Sequence, residues 1–352
     1  MPAIRSRRVK FAASLTVAGL AAIGLAGCSS SDASSGSSKA TTIRLGYFPN
    51  LTHGTALVGL REGIFAESTQ GKADIKARTF SAGPQAVEAL NSGAIDATFI
   101  GPGPSINAFV KARGQNLVVV SGAASGGACL VVKPQITSAA QLKGKKIATP
   151  SLGNTQDIAL RHWAKTQGWK TTTEGTGDIK ITPTENATVV NAWQSGAIDA
   201  AWEPEPYASK LVAAGGHVLF DEASLWPAGK FATTILVVRK KFLAAHRDAV
   251  AALITAVVKT NDWIAANSAK AKADVNASLG ELTGKPLPDK VIDSAWQRLR
   301  FTDDPIVSSI KTDFDQAKDV GFLKEDSTID GLLQLDLLNQ ALKSAGKPEI
   351  IG

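Results

Sequence analysis

Six short segments of this 352-residue chain concentrate side chains that form hydrogen bonds without carrying positive charge. They are residues 49–54, 81–84, 101–105, 151–157, 184–186 and 202–206, rich in Ser, Thr, Asn and Gly, and none contains Lys or Arg. Backbone N–H groups, hydroxyls and helix N-termini hold an anion without ion pairing. That donor set suits a weakly basic monoanion with three acceptor oxygens, such as a sulfonate, whereas a doubly charged phosphate more often draws an Arg fork. The candidate ligand-binding residues are Asn50, Thr52, His53, Ser81, Gly83, Gly101, Pro102, Ser105, Gly153, Asn154, Thr155, Gln156, Asn186, Trp202 and Glu203. Asn154, Thr155 and Gln156 gather amides and a hydroxyl at a helix start. Tyr47, Phe48 and Trp202 are positioned to bracket an apolar tail, and Glu203 to accept from an amine. Bland roles compete. Helix capping alone explains Ser81, Gly83, Gly101 and Pro102, core packing explains Trp202, and a loop hydrogen bond explains His53.

Other chemistries find little support. The four histidines have no metal-ligand spacing, and no phosphate loop or Ser/His/Asp arrangement stands out. No metal or cofactor is expected. Cys129 sits in the apolar run Ala128-Cys129-Leu130-Val131-Val132, as a buried strand thiol would. The formal charge of +7 comes from 38 basic and 31 acidic residues. Arg5, Arg7, Arg8 and Lys10 supply four of the basic ones, and 38 less 4 leaves 34 against 31. So balanced a body makes no case for nucleic acid.

The segments fall into two matching sets. The hexapeptide Ser92-Gly-Ala-Ile-Asp-Ala97 returns unchanged as Ser195-Gly-Ala-Ile-Asp-Ala200, an offset of 103 residues. Upstream, IKARTFSAGPQAVEALN parallels IKITPTENATVVNAWQ, and downstream ATFIGPGP parallels AAWEPEP. Further back, IRLGYFPN lines up loosely with IATPSLGN, with helices expected over 55–65 and 155–169. Each unit reads strand, helix, strand, helix, strand, which right-handed crossovers assemble into a parallel sheet covered by helices. Gly93 and Gly196 are expected to end helices in the left-handed region. In such sheets ligands sit beyond the carboxyl ends of the strands, which is where the six segments fall.

Residues 117–132 read as two strand-like runs around a Gly/Ser stretch, and 231–239 as one run; both are expected to cross between lobes. The expected lobes are therefore a discontinuous first one (42–128 and 227–352) and a second (129–226). Helices are expected over 244–266, 289–298 and 329–345, packed on the first lobe. Ahead of them, a basic start and the apolar stretch 11–26 read as a signal peptide over residues 1–27, too short for the ~20 residues of a membrane-crossing helix. Leu25-Ala26-Gly27-Cys28 resembles a lipobox, with Cys28 acylated and 28–41 a flexible tether.

Four stretches together resemble the solute-binding proteins of the nitrate/taurine/aliphatic sulfonate class. They are IRLGYFPNLTHGTALVGLREGIF, FSAGPQAVEALNSGAIDATFIGPGPSINAF, LKGKKIATPSLGNTQDIALRHWAKTQG and SGAIDAAWEPEPYASKL. The resemblance runs from about Thr42 onward. It implies an α/β, two-lobed type II periplasmic-binding-protein fold with the ligand cleft between the lobes. It also implies a small-molecule ligand, an ABC permease with its ATPase as partners, and a location outside the cytoplasm; a monomer is expected. The Gly153–Asp157 stretch is most similar to aliphatic sulfonate binders and departs from nitrate-type members. Taurine, nitrate and a pyrimidine or thiamine precursor are the alternative ligands. Biosynthetic enzymes on the same architecture are the alternative class, with a sensory receptor domain as a third option.

Overall fold

The structure is a computed structural model that describes residues 40–351. The expected signal peptide and Cys28, with all but the end of the tether, lie outside the described residues. The rest forms one compact unit, Ala40–Gly352.

The first repeat runs β1 (Thr41–Tyr47), α1 (Gly54–Arg61), α2 (Ile64–Thr69), β2 (Ala73–Thr79), α3 (Gly83–Asn91), β3 (Ala97–Ile100), α4 (Pro102–Lys111) and β4 (Leu117–Gly126). Strand β5 (Ala128–Val132) then leads to the second repeat: β6 (Lys146–Thr149), α5 (Thr155–Thr166), β7 (Lys180–Pro183), α6 (Val189–Gln194), β8 (Ala200–Pro204), α7 (Tyr207–Ala213) and β9 (His217–Asp221). Strand β10 (Ala232–Arg239) follows. The C-terminal part comprises α8 (Lys240–Ala245), α9 (Arg247–Ala266), α10 (Ser268–Thr283), α11 (Asp289–Gln297), β11 (Leu299–Phe301), α12 (Val307–Asp319) and α13 (Asp336–Ser344).

The duplication is visible in the strand order. One sheet reads β11-β4-β10-β3-β1-β2 and the other β9-β5-β8-β6-β7. The core β3-β1-β2 is parallel, as is its copy β8-β6-β7. Each sheet then adds antiparallel strands. β10, which follows the second repeat, pairs with β3, and β5, which follows the first, pairs with β8. Between named strands, parallel pairing is thus confined to the repeated units, and the crossing strands make both sheets mixed.

The hexapeptide does the same backbone work twice. Gly93 and Gly196 take φ values of 74° and 75°, the left-handed turn that lets a helix stop and a strand begin. The Asp96 carboxylate accepts the Arg44 N–H of β1 at 3.0 Å, and Asp199 accepts the Lys146 N–H of β6 at 2.9 Å. That carboxylate bond was not read from the sequence.

Four expectations change. The Gly/Ser stretch in 117–132 is part of β4, a fully buried ten-residue strand, rather than a break. Small residues are needed there because a Cβ on Gly122 would lie 2.3 Å from the Asp304 carbonyl oxygen. The helix expected over 55–65 breaks at Gly63, whose φ is 72°. The one expected over 244–266 breaks at His246. The one expected over 329–345 begins only at Asp336, because the backbone around Leu333 bonds Val119 at the β4 edge. Helix α9 is apolar and long enough to cross a membrane, but Val250, Leu253, Ile254 and Val257 are buried in the core of the first sheet.

Candidate functional site

The carboxyl ends of the parallel strands converge on a cavity of about 50 Å³. Asn50, Thr52, His53, Ser81, Gly83 and Gly101 line it from the first repeat, and Asn154, Thr155, Gln156 and Asn186 from the second. Phe48, Ala82, Pro104, Pro150, Ser151, Pro204 and Thr233 complete the wall. A larger groove of about 910 Å³ lies between Trp226, Ile306 and Ile350. None of the six segments lines that groove, so the smaller cavity is the candidate site.

The starts of α4 and α5 bring the two walls together. The Gly103 N–H donates to Thr155 Oγ1 at 3.1 Å, and Asn107 Nδ2 donates to the Gly153 carbonyl at 3.0 Å. Glycine makes this approach possible: a Cβ on Gly103 would lie 2.7 Å from the Thr155 backbone nitrogen. Asn154 caps α5 by accepting the Asp157 N–H at 2.8 Å. Asp157 in turn accepts from Thr149 Oγ1 and the Gly153 N–H, both at 2.9 Å, and from Arg161 Nε at 3.0 Å. One buried ion pair therefore holds the 149–157 loop in shape.

The site is polar but uncharged. Among the described residues no Asp, Glu, Lys or Arg lines the cavity. His53 Nδ1 accepts the Phe48 N–H at 3.2 Å, which leaves Nε2 to carry the proton. Burial pushes the His53 pKa down to about 3, so the ring is neutral at ordinary pH. Thr155 Oγ1 is used as an acceptor, so its own proton is free to donate. Asn50 Oδ1, Ser151 Oγ and Asn186 Oδ1 are buried without partners among the described residues. Phe48 packs on His53 with ring centres 4.4 Å apart and ring planes inclined at 30°.

Five sequence-predicted residues fall outside the lining. Pro102 is a first-turn residue of α4 with Gly101 as its cap. Ser105 Oγ donates back to the Gly101 carbonyl at 2.9 Å. Gly153 supplies a left-handed turn, with φ 69°. Trp202 is a core residue: its Nε1 donates to Glu222 Oε2 at 2.6 Å, and it packs on Trp163 and Phe220. Glu203 alternates to the other face of β8 and is buried behind the wall. The acids of the site loops are likewise turned away from the cavity, Asp157 onto Arg161 and Glu205 onto Arg298 and Ser209. Thr233 was missed because it arrives on β10, far away in the chain.

Residues 36–279 match the model of the NMT1-like family, and the chain belongs to that family. The taurine-binding periplasmic protein of Escherichia coli (strain K12) is 28% identical over 239 residues, 66% of this chain and 71% of that protein. A protein of Brucella abortus (strain 2308) is 29% identical over 196 residues, 55% of this chain and 58% of the relative's length. Among solved structures, the nitrate-binding protein of Synechocystis PCC 6803 superposes with TM-score 0.76 at 18% identity, covering 88% of this chain and 90% of that one. The alkanesulfonate-binding protein of Xanthomonas axonopodis pv. citri, bound to MOPS, gives 0.67 at 20%, covering 84% and 98%. A desulfurization enzyme gives 0.64 at 16%, covering 87% and 99%, so the fold serves enzymes as well as binding proteins.

Proposed function

We propose that the chain is the solute-binding component of an ABC importer, taking up a small organic anion of the aliphatic sulfonate type. One observation carries this reading: a cavity at the strand ends of both repeats, walled among the described residues by neutral hydrogen-bonding groups with no charged side chain. Such a wall satisfies a weakly basic monoanion through Thr155, Ser151, Gln156, the asparagine amides and His53 Nε2–H. The ligand bridges donors from both repeats and so favours the closed arrangement by differential affinity. Partners are a permease and its ATPase. The protein acts as a monomer outside the cytoplasm, held to the membrane through Cys28. Cys28→Ser should move it from the membrane to the soluble fraction.

Binding is favoured over catalysis because, among the described residues, the one cysteine is not activated as a nucleophile. Cys129 is fully buried, and burial with nearby acids pushes its thiol up, the reverse of what attack requires. A second ligand reading, an aminopyrimidine, is favoured by the aromatic Phe48–His53 pair and the unpaired Asn50 and Asn186 oxygens. A thermal-shift panel of alkanesulfonates, taurine, nitrate, sulfate, phosphate and aminopyrimidines tests both. A ligand present at 100 times its Kd adds about 2.7 kcal/mol of stability. Alkanesulfonates should shift the melt. A shift with the aminopyrimidine alone replaces the first reading with the second.

A further inference from the structure

The body of the chain is nearly balanced in charge overall, but not locally. Lysines gather where the strands of the second sheet begin. The cavity takes the carboxyl ends of β6 and β8, so their starts lie on the far side of the sheet. Lys146 opens β6 and stands in register with Lys180, the first residue of β7. Lys133 follows the last residue of β5, and its N–H donates to the Asp199 carbonyl at 3.0 Å, just ahead of β8. The Lys145 carbonyl accepts the Lys180 N–H at 2.9 Å, and the Lys170 carbonyl accepts the Asp178 N–H at 2.8 Å. Lys143 reaches the same end, with its Nζ 5.9 Å from the centre of the Trp169 ring.

These six lysines are not spent on the protein's own acids. None of them makes an ion pair among the described residues. Lys143, Lys146, Lys170 and Lys180 are exposed, and Lys133 and Lys145 half-buried. The Asp178 and Asp199 carboxylates accept the backbone N–H groups of Lys170 and Lys146, at 2.8 Å and 2.9 Å. With Glu174 in the intervening turn, six cations less three acids leave an excess of three.

The first repeat treats the aligned positions differently. An offset of 104 sets Lys180 on Lys76 and Asp178 on Asp74, and Lys76 and Asp74 are ion-paired at 2.9 Å. Asp96, the counterpart of Asp199, holds Arg44 and Arg239. The frame therefore does not require open lysines. Unpaired like charges held close together repel and add nothing to the stability of the fold. Their counter-charge comes from outside the protein.

Ammonium groups on long flexible stems, without an Arg fork, answer to charge density rather than to shape. An anionic phospholipid surface offers that density to every lysine within a Debye length. Residues 28–40 separate the proposed anchor at Cys28 from the body, and these thirteen residues span at most about 45 Å. At that range the bilayer is present at high effective concentration, and a weak patch suffices. We propose that this lysine-lined end of the second sheet is a docking surface for an anionic phospholipid bilayer, holding the body beside its membrane.

The test is acetylation footprinting of lysines on the full-length chain, with vesicles of equal parts phosphatidylglycerol and phosphatidylcholine. Lys143, Lys146, Lys170 and Lys180 should be protected at least about threefold. Lys285, Lys290, Lys324 and Lys343, exposed elsewhere, should react as they do without vesicles. Protection should vanish on phosphatidylcholine alone, and in about 1 M salt, where the Debye length falls to about 3 Å. The double substitution Lys146→Gln with Lys180→Gln should release Lys143 and Lys170 at an unchanged melting temperature. Equal reactivity of all eight lysines, or protection that survives high salt or the double substitution, overturns the inference. Protection by soluble polyphosphate but not by vesicles also overturns it and gives the surface to a polyanion. The footprint needs no acylation, so the anchor at Cys28 and this surface fail separately.

Discussion

Asp96 and Asp199 stand in identical hexapeptides, accept the same backbone bond, and live in different surroundings. Asp96 is buried and gathers Arg44 Nη2 at 2.6 Å and Arg239 Nη2 at 2.8 Å. Asp199 is partly exposed and takes the backbone N–H of Lys146. The same divergence occurs at the strand ends, where Ile100 and Pro102 of the first repeat become Glu203 and Glu205 in the second. The lesson is that the duplication kept what the backbone requires: a left-handed glycine, a carboxylate beside the first strand, a buried isoleucine. Polar and charged side chains were then placed differently in each copy, and the second copy carries most of the buried acids near the site.

The largest expected effect tests whether those acids are balanced. Arg298 Nη1 bonds Glu205 Oε1 at 3.0 Å, and Ser209 supplies two further donors. Arg298→Ala strands a buried carboxylate and should cost about 3 kcal/mol in urea unfolding. A loss below about 1 kcal/mol would mean that Ser209 alone suffices.

The next prediction sets the hexapeptides against each other. Asp96→Asn should cost about 2 kcal/mol, and Asp199→Asn less than about 1 kcal/mol. Equal losses would mean that the backbone bond carries the whole effect. The Asp96 carboxyl also titrates distinctively. Burial raises its pKa, but the bonds from Arg44 and Arg239 outweigh burial and hold it below the usual range. A lowered folded pKa gives stability that is present above the unfolded pKa near 3.8 and is lost as pH falls through the folded one. Asp96→Asn should therefore flatten the acid limb of a melting curve below about pH 4.

Glu222 gives the opposite sign. Burial, with a smaller push from Asp221, raises its pKa to about 7 against the bonds from Trp202 and Trp226. The folded state keeps a proton that the unfolded chain releases near pH 4.5, so stability falls as pH rises from there to about 7. The slope reaches at most about 1.4 kcal/mol per pH unit. Glu222→Gln should remove that part of the decline, and an unchanged Tm profile would assign it to another buried acid.

The smallest effect separates two asparagines that align in the repeat. Asn154 caps α5 with its side chain, whereas Asn50 makes no such bond at the turn it precedes. Asn154→Ala should cost about 1 kcal/mol of stability and Asn50→Ala less than about 0.5 kcal/mol, measured by denaturant midpoint. Both should weaken ligand binding.

Much of the architecture was legible before any coordinates. Self-similarity identified the two repeats, and the helix–Gly–strand transitions located the ends of their elements. The donor-rich loops were readable because ligand sites in parallel sheets follow strand ends. What was lost came from reading composition as direction. Trp202 and Glu203 were assigned to the cavity from their place in the chain, but alternation along β8 sends one into each core face. The Gly/Ser run in β4 looked like a break because the close approach of residues 303–305 is a contact with a distant part of the chain.

By itself, the sequence determined the order of elements, their parallel pairing within each repeat, and which loops meet at the strand ends. These follow from periodicity, glycine stereochemistry and the handedness of crossovers, all of which act over a few tens of residues. Only the tertiary structure decided that β5 and β10 join the sheets antiparallel and that Gly103 touches Thr155. It also decided that Asp157 and Glu205 find arginines while Glu203 finds none. Those outcomes depend on contacts between residues far apart in the chain, where the low dielectric of the interior makes the presence or absence of one partner decisive.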